Sequence, residues 1–261
     1  MKTRMTLLTG LLLAGFAVLQ AAEEIKGNGH IVTRTIEISD YDEILLAGTV
    51  DFNYVQSNKA SGLELTIDEN LLPFVKIEVK DRQLVVDYKK GVNLNPTKSV
   101  IRSHSKWLKK AKLTGTGTFC TDVPIEGNEL ELKTLGSGQI QIKRPIKVHE
   151  LALIASSSGG IVVDIVQTDN LECKISSAGN ILIGGGQAAN ATFAIYGSGD
   201  INSFNCKLQN LSGKIAGSGN MNVSVTKTLK ASVLGSGNIR YKGTAVVTSR
   251  KLGSGSVERA Q

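Results

Sequence analysis

The sequence predicts an all-β protein, a single-stranded parallel β-helix (a β-solenoid) with coils of about 20 residues and Gly-Ser-Gly-Asn corners. Three observations carry this. A tight glycine step recurs eight times, and its second glycines, Gly117, Gly138, Gly159, Gly179, Gly199, Gly219, Gly237 and Gly255, lie 21, 21, 20, 20, 20, 18 and 18 residues apart. Apolar residues keep fixed offsets from those glycines. They also alternate with polar residues at the period of two that a strand imposes.

The chain opens with Lys2 and Arg4, an apolar run from Met5 to Leu19, and then Ala21-Ala22-Glu23. That order of basic, apolar and small residues predicts a signal peptide over residues 1–21. The run is shorter than the roughly 20 residues a membrane span needs and no second run follows, so no transmembrane span is expected in the mature chain. No cysteine stands at the cleavage point to accept a lipid. Export to the periplasm, the outer surface or the medium is the expectation. The net charge of +7 falls to +5 when Lys2 and Arg4 leave; this mild excess serves solubility and points to no nucleic-acid partner. Cys120, Cys173 and Cys206 are odd in number and widely spaced, unlike a disulfide framework or a metal site, and allow at most one bridge.

Residues 22–111 keep strand alternation without the strict period, as in Leu63-Glu64-Leu65-Thr66-Ile67 and Val75-Lys76-Ile77-Glu78-Val79. Repeat proteins need atypical ends, because a bare terminal coil exposes core and an unpaired edge. The segment is therefore read as an irregular β portion of the same fold covering the first coil, with Gly48-Thr49-Val50-Asp51 as one early corner.

Residues 112–261 are the regular coils. Two positions after the second glycine stand Phe119, Ile140, Ile161, Ile181, Ile201, Met221, Ile239 and Val257. Eight before it stand Leu130, Leu151, Leu171, Leu211, Leu229 and Val247, and four before it Leu113, Ala155, Ile175, Ile195, Ile215 and Val233. Antiparallel hairpins in a sandwich are the rival, since such glycine steps also make hairpin turns. A meander, however, places successive turns at alternate ends of the sheet, whereas here one turn type recurs once per two strands with the apolar columns in phase. Stacked coils predict glycine at the corner because of positive φ or close backbone approach. They also predict that Gln139, Asn180, Asp200, Asn220 and Asn238 bond from turn to turn.

The run Asp68-Glu69-Asn70-Leu71-Leu72, then Val79-Lys80-Asp81-Arg82-Gln83-Leu84-Val85, with the later Gly-Ser-Gly-Asn/Asp-Ile steps, resembles the putative auto-transporter adhesin, head GIN domain family of secreted bacterial proteins, common in Bacteroidetes. The resemblance covers about Gly29 to Val257. It implies a β-solenoid with an adhesive or surface role, and brings no catalytic residue, ligand residue or cofactor. The chain stops at Gln261 without a membrane barrel, so self-export is not expected.

No residue set reads as catalytic. Asp122, Lys143 and Asp164 share one column, but two rungs set the acids about 10 Å apart, at or beyond the edge of the range of about 6.5–9.5 Å for inverting glycosidases. An external salt-bridged column is the simpler account. No acids converge as calcium requires, and no metal or cofactor is expected. The corner serines recur in nearly every coil, and His30, His104 and His149 bear no spacing relation to them. Gly184-Gly185-Gly186 lacks the lysine and helix of a phosphate loop. Cys173, on an inward column, is expected to be a buried thiol.

Two basic features are binding candidates. Five positions before the second glycine, Lys112, Lys133, Lys174, Lys214 and Arg250 form a cationic stripe. Between Lys89 and Lys112, the cations Lys89, Lys90, Lys98, Arg102, Lys106, Lys109, Lys110 and Lys112 surround Trp107 with no acid among them. A row of cations beside an aromatic suits an anionic polysaccharide, lipopolysaccharide or a surface protein; the plainer account is that lysines keep a long sheet soluble. The expected function is a non-enzymatic exported adhesin-like protein. A carbohydrate-active enzyme (polysaccharide lyase or glycoside hydrolase) on the same scaffold and a purely structural periplasmic protein are the alternatives.

Overall fold

A computed structural model describes residues 23–260; the expected signal peptide lies outside the described residues. The regular part is a parallel β-helix. Glu129–Thr134, Ile146–Ala155, Val166–Ile175, Gly186–Ile195, Ile201–Gly217 and Met221–Gly235 stack in register, each parallel to the next. Leu130, Leu151, Leu171, Ala191, Leu211 and Leu229 face one another in turn. Equivalent residues of successive windings are thus direct neighbours, as the phase of the apolar columns requires.

A winding has three strand segments. In one of them, 166–168 is followed, after a break in the pairing at Asp169, by 170–175; the glycine corner then leads to Ile181–Ile183. Stacking turns these into three ribbons, here named A (166–168), B (170–175) and C (181–183). Inward positions fill the interior: Leu153, Cys173 and Phe193 from ribbon B meet Ile161, Ile181 and Ile201 from ribbon C, all with at most 1% exposure. Each of the leucine, isoleucine and phenylalanine side chains among them contributes about 1.5–3 kcal/mol through burial.

At the second glycine of the corner, close approach rather than φ is decisive. Gly219 has no positive φ, yet a Cβ there would run into the carbonyl oxygen of Gly199 one winding away. The corner column bonds as expected from Asn180 onward, with the Asp200 N–H donating to Asn180 Oδ1 (2.8 Å); Gln139 is cut off from it by Gly160. Asn220 donates from N and Nδ2 to Asp200 Oδ1 (2.6 and 3.1 Å), and Asn238 repeats this on Asn220 Oδ1 (3.3 and 3.1 Å). Asn220→Ala removes one donor and one acceptor from the middle of this ladder. We expect a loss of about 1–3 kcal/mol in urea unfolding; a change within experimental error would show the ladder to be ornamental to stability.

At the N-terminal end the spatial order departs from chain order. Glu43–Leu46 and Asp51–Gln56 lie parallel to Lys110–Leu113 and Thr118–Thr121, with Gly48 (φ 81°) turning the corner between them. On the far side of this winding run Gln83–Tyr88 and Ser99–Ser105, also parallel to it. The winding 43–56 is therefore inserted between two segments that follow it in sequence. Antiparallel pairing then ends the stack: Ile31–Glu37 pairs with Gly62–Asp68, which pairs with Ser99–Ser105, while Val75–Lys80 pairs with Gln83–Tyr88. Buried Asp68 ties this end together, accepting N–H bonds from Gly29 (2.8 Å), Thr97 (2.8 Å) and Lys98 (3.4 Å). Burial pushes its carboxyl up, but those bonds outweigh burial and hold it below the usual range.

The last winding closes the other end by chemistry. Ser249, Lys251 and Arg259 pair with Ala231, Val233 and Tyr241 and so occupy inward columns, presenting polar side chains where earlier windings present apolar ones. Inward charge of this kind discourages edge pairing with another chain.

Candidate anionic-ligand surface

The stripe found in the sequence lies in a single column of ribbon B, with neutral residues between most of its cations. Lys112 pairs with Lys133, Lys133 with Ile154, Ile154 with Lys174, Lys174 with Ala194, Ala194 with Lys214, Lys214 with Ser232 and Ser232 with Arg250. All five cations point outward, because their neighbours Leu132, Cys173, Ile175 and Ile215 point in. Lys112, Lys133 and Lys174 are half-buried, while Lys214 and Arg250 are exposed. Among the described residues none of the five is ion-paired.

The aromatic beside this column is Tyr196, which the sequence did not single out. The residue is 46% exposed, with Lys174 Nζ at 5.8 Å and Lys214 Nζ at 5.4 Å from the ring centroid. The two lysines come from the windings on either side of it. Tyr196 stands two residues beyond Ala194, which occupies the gap in the cationic column, and that offset was its available signal.

Trp107 lies elsewhere. It is 47% exposed, carries Lys106 Nζ at 5.8 Å, and borders a groove of about 470 Å³ together with Lys109, Glu126, Glu129 and His149. Lys109 approaches Asp42 (3.6 Å) and Glu129 (4.0 Å), and Lys110 bonds Glu131 (3.1 Å). These two lysines thus serve an acidic region built from other windings. Arg102 is on Ser99–Ser105, opposite Asn53 and Glu64, and Lys89 covers the Phe74 ring at 5.9 Å. Of the basic run between residues 89 and 112, only Lys112 belongs to the column, and Lys110 stands in the neighbouring outward column of the same ribbon.

Ribbon B carries two further outward columns. Glu43, Lys110, Glu131, Ala152 and Glu172 form one. Glu129, Glu150, Asn170, Asn190 and Asn210 form the other, where Asn170 donates to Glu150 (2.6 Å), Asn190 to Asn170 (3.1 Å) and Asn210 to Asn190 (3.2 Å). This second amide ladder went unread although its members stand nine residues before the second glycine. Together the two columns line an open groove of about 710 Å³ whose charge is largely acidic.

The remaining candidates stay apart. Asp122, Lys143 and Asp164 form no ion pair among the described residues, so the expected salt-bridged column does not form; Arg144 Nε instead donates to the Asp122 carbonyl (3.1 Å). His149 bonds Asp169 (2.7 Å) on the surface. Gly184-Gly185-Gly186 is the second corner of its winding, where Gly186 takes φ 109°. The three cysteines are free thiols. Burial pushes Cys173 well up and Cys206 up to about 11, while half-buried Cys120 donates to Asn53 Oδ1 (2.6 Å). Among the described residues no group of three or more His, Cys, Asp or Glu side chains is placed to hold a metal, and no helix is long and apolar enough to cross a membrane.

Residues 40–245 match the family described as putative auto-transporter adhesin, head GIN domain. The chain belongs to that family. Its fold is shared by a putative adhesin of Parabacteroides merdae, at 38% identity and a TM-score of 0.88 over 92% of this chain and 100% of that one. A putative adhesin of Parabacteroides distasonis matches at 40% identity and TM-score 0.88 over 91% and 100% of the two chains. A third structure, a putative lipid binding protein of Parabacteroides distasonis, matches at 38% identity and TM-score 0.89 over 92% and 100%. No curated protein matches the sequence. Membership in this adhesin family supports an adhesin-like, non-enzymatic role and an exported or surface location.

Proposed function

We propose that this head GIN domain protein is an exported, non-enzymatic surface protein that holds an anionic glycan of a cell envelope along the cationic column of ribbon B. The observation that carries the reading is the column itself: five cations, in line on a rigid sheet, none of them ion-paired among the described residues. The sheet sets the spacing of the backbone positions that carry these cations, and a line of them attracts a linear anion more than scattered charges do. Two rungs separate Asp122 from Asp164 by about 10 Å, at or beyond the edge of the range for inverting glycosidases, which favours binding over turnover.

The test is binding of the mature chain to immobilised acidic polysaccharide and to lipopolysaccharide, with the triple variant Lys133→Glu/Lys174→Glu/Lys214→Glu beside it. Exposed charge contacts contribute about 0.2–1 kcal/mol each, so the reversal is expected to weaken binding by about tenfold or more. Salt should weaken the native protein in the same direction. Equal binding by both proteins would remove the column from the function. Appearance of new chain ends in the polysaccharide, lost on Asp122→Asn or Asp164→Asn, would establish the enzyme reading instead.

A second reading rests on a different feature. One relative is described as a putative lipid binding protein, and between the edge strands Ile31–Glu37 and Val75–Lys80 lies a cleft of about 290 Å³ lined by Arg34, Ile36, Leu65, Leu72, Val75 and Ile77. An apolar cleft with one cation suits a fatty acyl chain and its carboxylate. Binding of a fluorescent fatty acid that disappears on Arg34→Glu would favour it.

A further inference from the structure

Resting on the glycan reading above, we infer that the column recognises charge spacing, and that its ligand is a linear glycan with one carboxylate on every second sugar, clamped at its centre by Lys174, Tyr196 and Lys214.

The spacing is visible in the pairing. From Lys133 onward the column alternates cation and neutral residue: Lys133, Ile154, Lys174, Ala194, Lys214, Ser232, Arg250. Lys112 adds one more cation a single winding beyond Lys133. Stacked strands are about 4.8 Å apart, so the alternating cations repeat at about 9.6 Å. A sugar ring in an extended chain advances by close to one rung. A charge on alternate sugars therefore meets a cation at each repeat, whereas a charge on every sugar places half of its carboxylates over Ile154, Ala194 and Ser232.

Tyr196 keeps the central pair in this register. Free lysine side chains sweep a wide volume, and the ring holds both ammoniums by cation–π attraction, one from the winding before it and one from the winding after.

The flanking columns explain why the ligand is a single narrow chain. Glu150 and Glu172 stand on the same ribbon beside Lys133 and Lys174, while Glu131 is paired with Lys110 (3.1 Å) and the flank beside Lys214 and Arg250 carries Ser212, Lys230 and Thr248. A bilayer or a duplex nucleic acid wide enough to cover the ribbon would bring its phosphates onto those glutamates. A single glycan chain lying along the column avoids them.

The test moves a charge without changing the total. In the double variant Lys174→Ala/Ala194→Lys, net charge and cation number are unchanged, but the two-rung period is broken and the clamp is lost. The probe is a hyaluronan oligosaccharide spanning the column, with one carboxylate per disaccharide, compared with polygalacturonate of equal length, which has one per sugar. A melting temperature equal to that of the native protein confirms that the sheet is intact. We expect the double variant to lose about 5- to 10-fold in hyaluronan affinity, the size of one or two cation contacts, and to change little toward polygalacturonate. Tyr196→Leu should reproduce part of that loss with every charge in place. Equal affinity of native protein and double variant for hyaluronan overturns the spacing inference. If the charge-reversed triple variant still loses all binding in that case, the basic column stands and only the spacing fails. If the native protein binds neither polymer, both fall; preference for anionic vesicles over both polymers overturns the glycan as ligand.

Discussion

Gly219→Val is expected to lower the melting temperature by about 10 °C. The Cβ at this corner would run into the Gly199 carbonyl oxygen and crowd Ile195 Cγ2 at 3.0 Å. Because the obstacle is the backbone of the adjacent winding, no rotamer change relieves it, and the windings must separate locally. Overpacking in an interior costs about 1–3 kcal/mol and more where backbone resists. A chain of this size loses about 2–4 °C per kcal/mol. Gly127→Ala is the matched control, since a Cβ there meets nothing within 4 Å. Thermal melts by circular dichroism decide it: a valine variant that melts with the native protein refutes close packing at the corner.

Phe119→Ala should cost about 3–5 kcal/mol, the range for removing a buried phenylalanine. Phe119 is fully buried and stacks on Phe52 (centroids 5.8 Å apart) and Tyr54 (6.2 Å). Both partners belong to the inserted winding 43–56. The ring is thus the joint between the N-terminal windings and the regular stack. Hydrogen exchange should report the loss unevenly, with amides of 43–56 and 83–105 opening well before those of 181–241, because windings contact only their neighbours. A loss below about 1 kcal/mol, or uniform exchange along the chain, would show that this joint does not hold the two parts together.

Much of the candidate surface could be read from the sequence, and its limits follow from particular residues. Lys112, Lys133, Lys174, Lys214 and Arg250 share one offset, and in a stacked array one offset is one column. Trp107 keeps two cations that are near it in sequence, Lys106 over its ring and Lys109 in the same groove, while Glu126, Glu129 and His149 reach that groove from later segments of the chain. Lys109 and Lys110 stand in an acid-free run of sequence but meet Asp42, Glu129 and Glu131, at distances in sequence that no local count of charge detects.

What the sequence determined by itself is everything that repeats. The winding length, the inward columns, the crowded glycine corner and its amide ladder each follow from a period, because parallel stacking converts a fixed offset into a direct contact. What only the tertiary structure decided is everything that does not repeat: the insertion of 43–56 between 83–105 and 110–121, the antiparallel strands that end the stack, and the placing of Tyr196 between two ammoniums. Those depend on which unpaired edge a non-periodic strand can satisfy and on where a long side chain comes to rest. Both are settled by burial and hydrogen bonding across windings rather than by position along the chain.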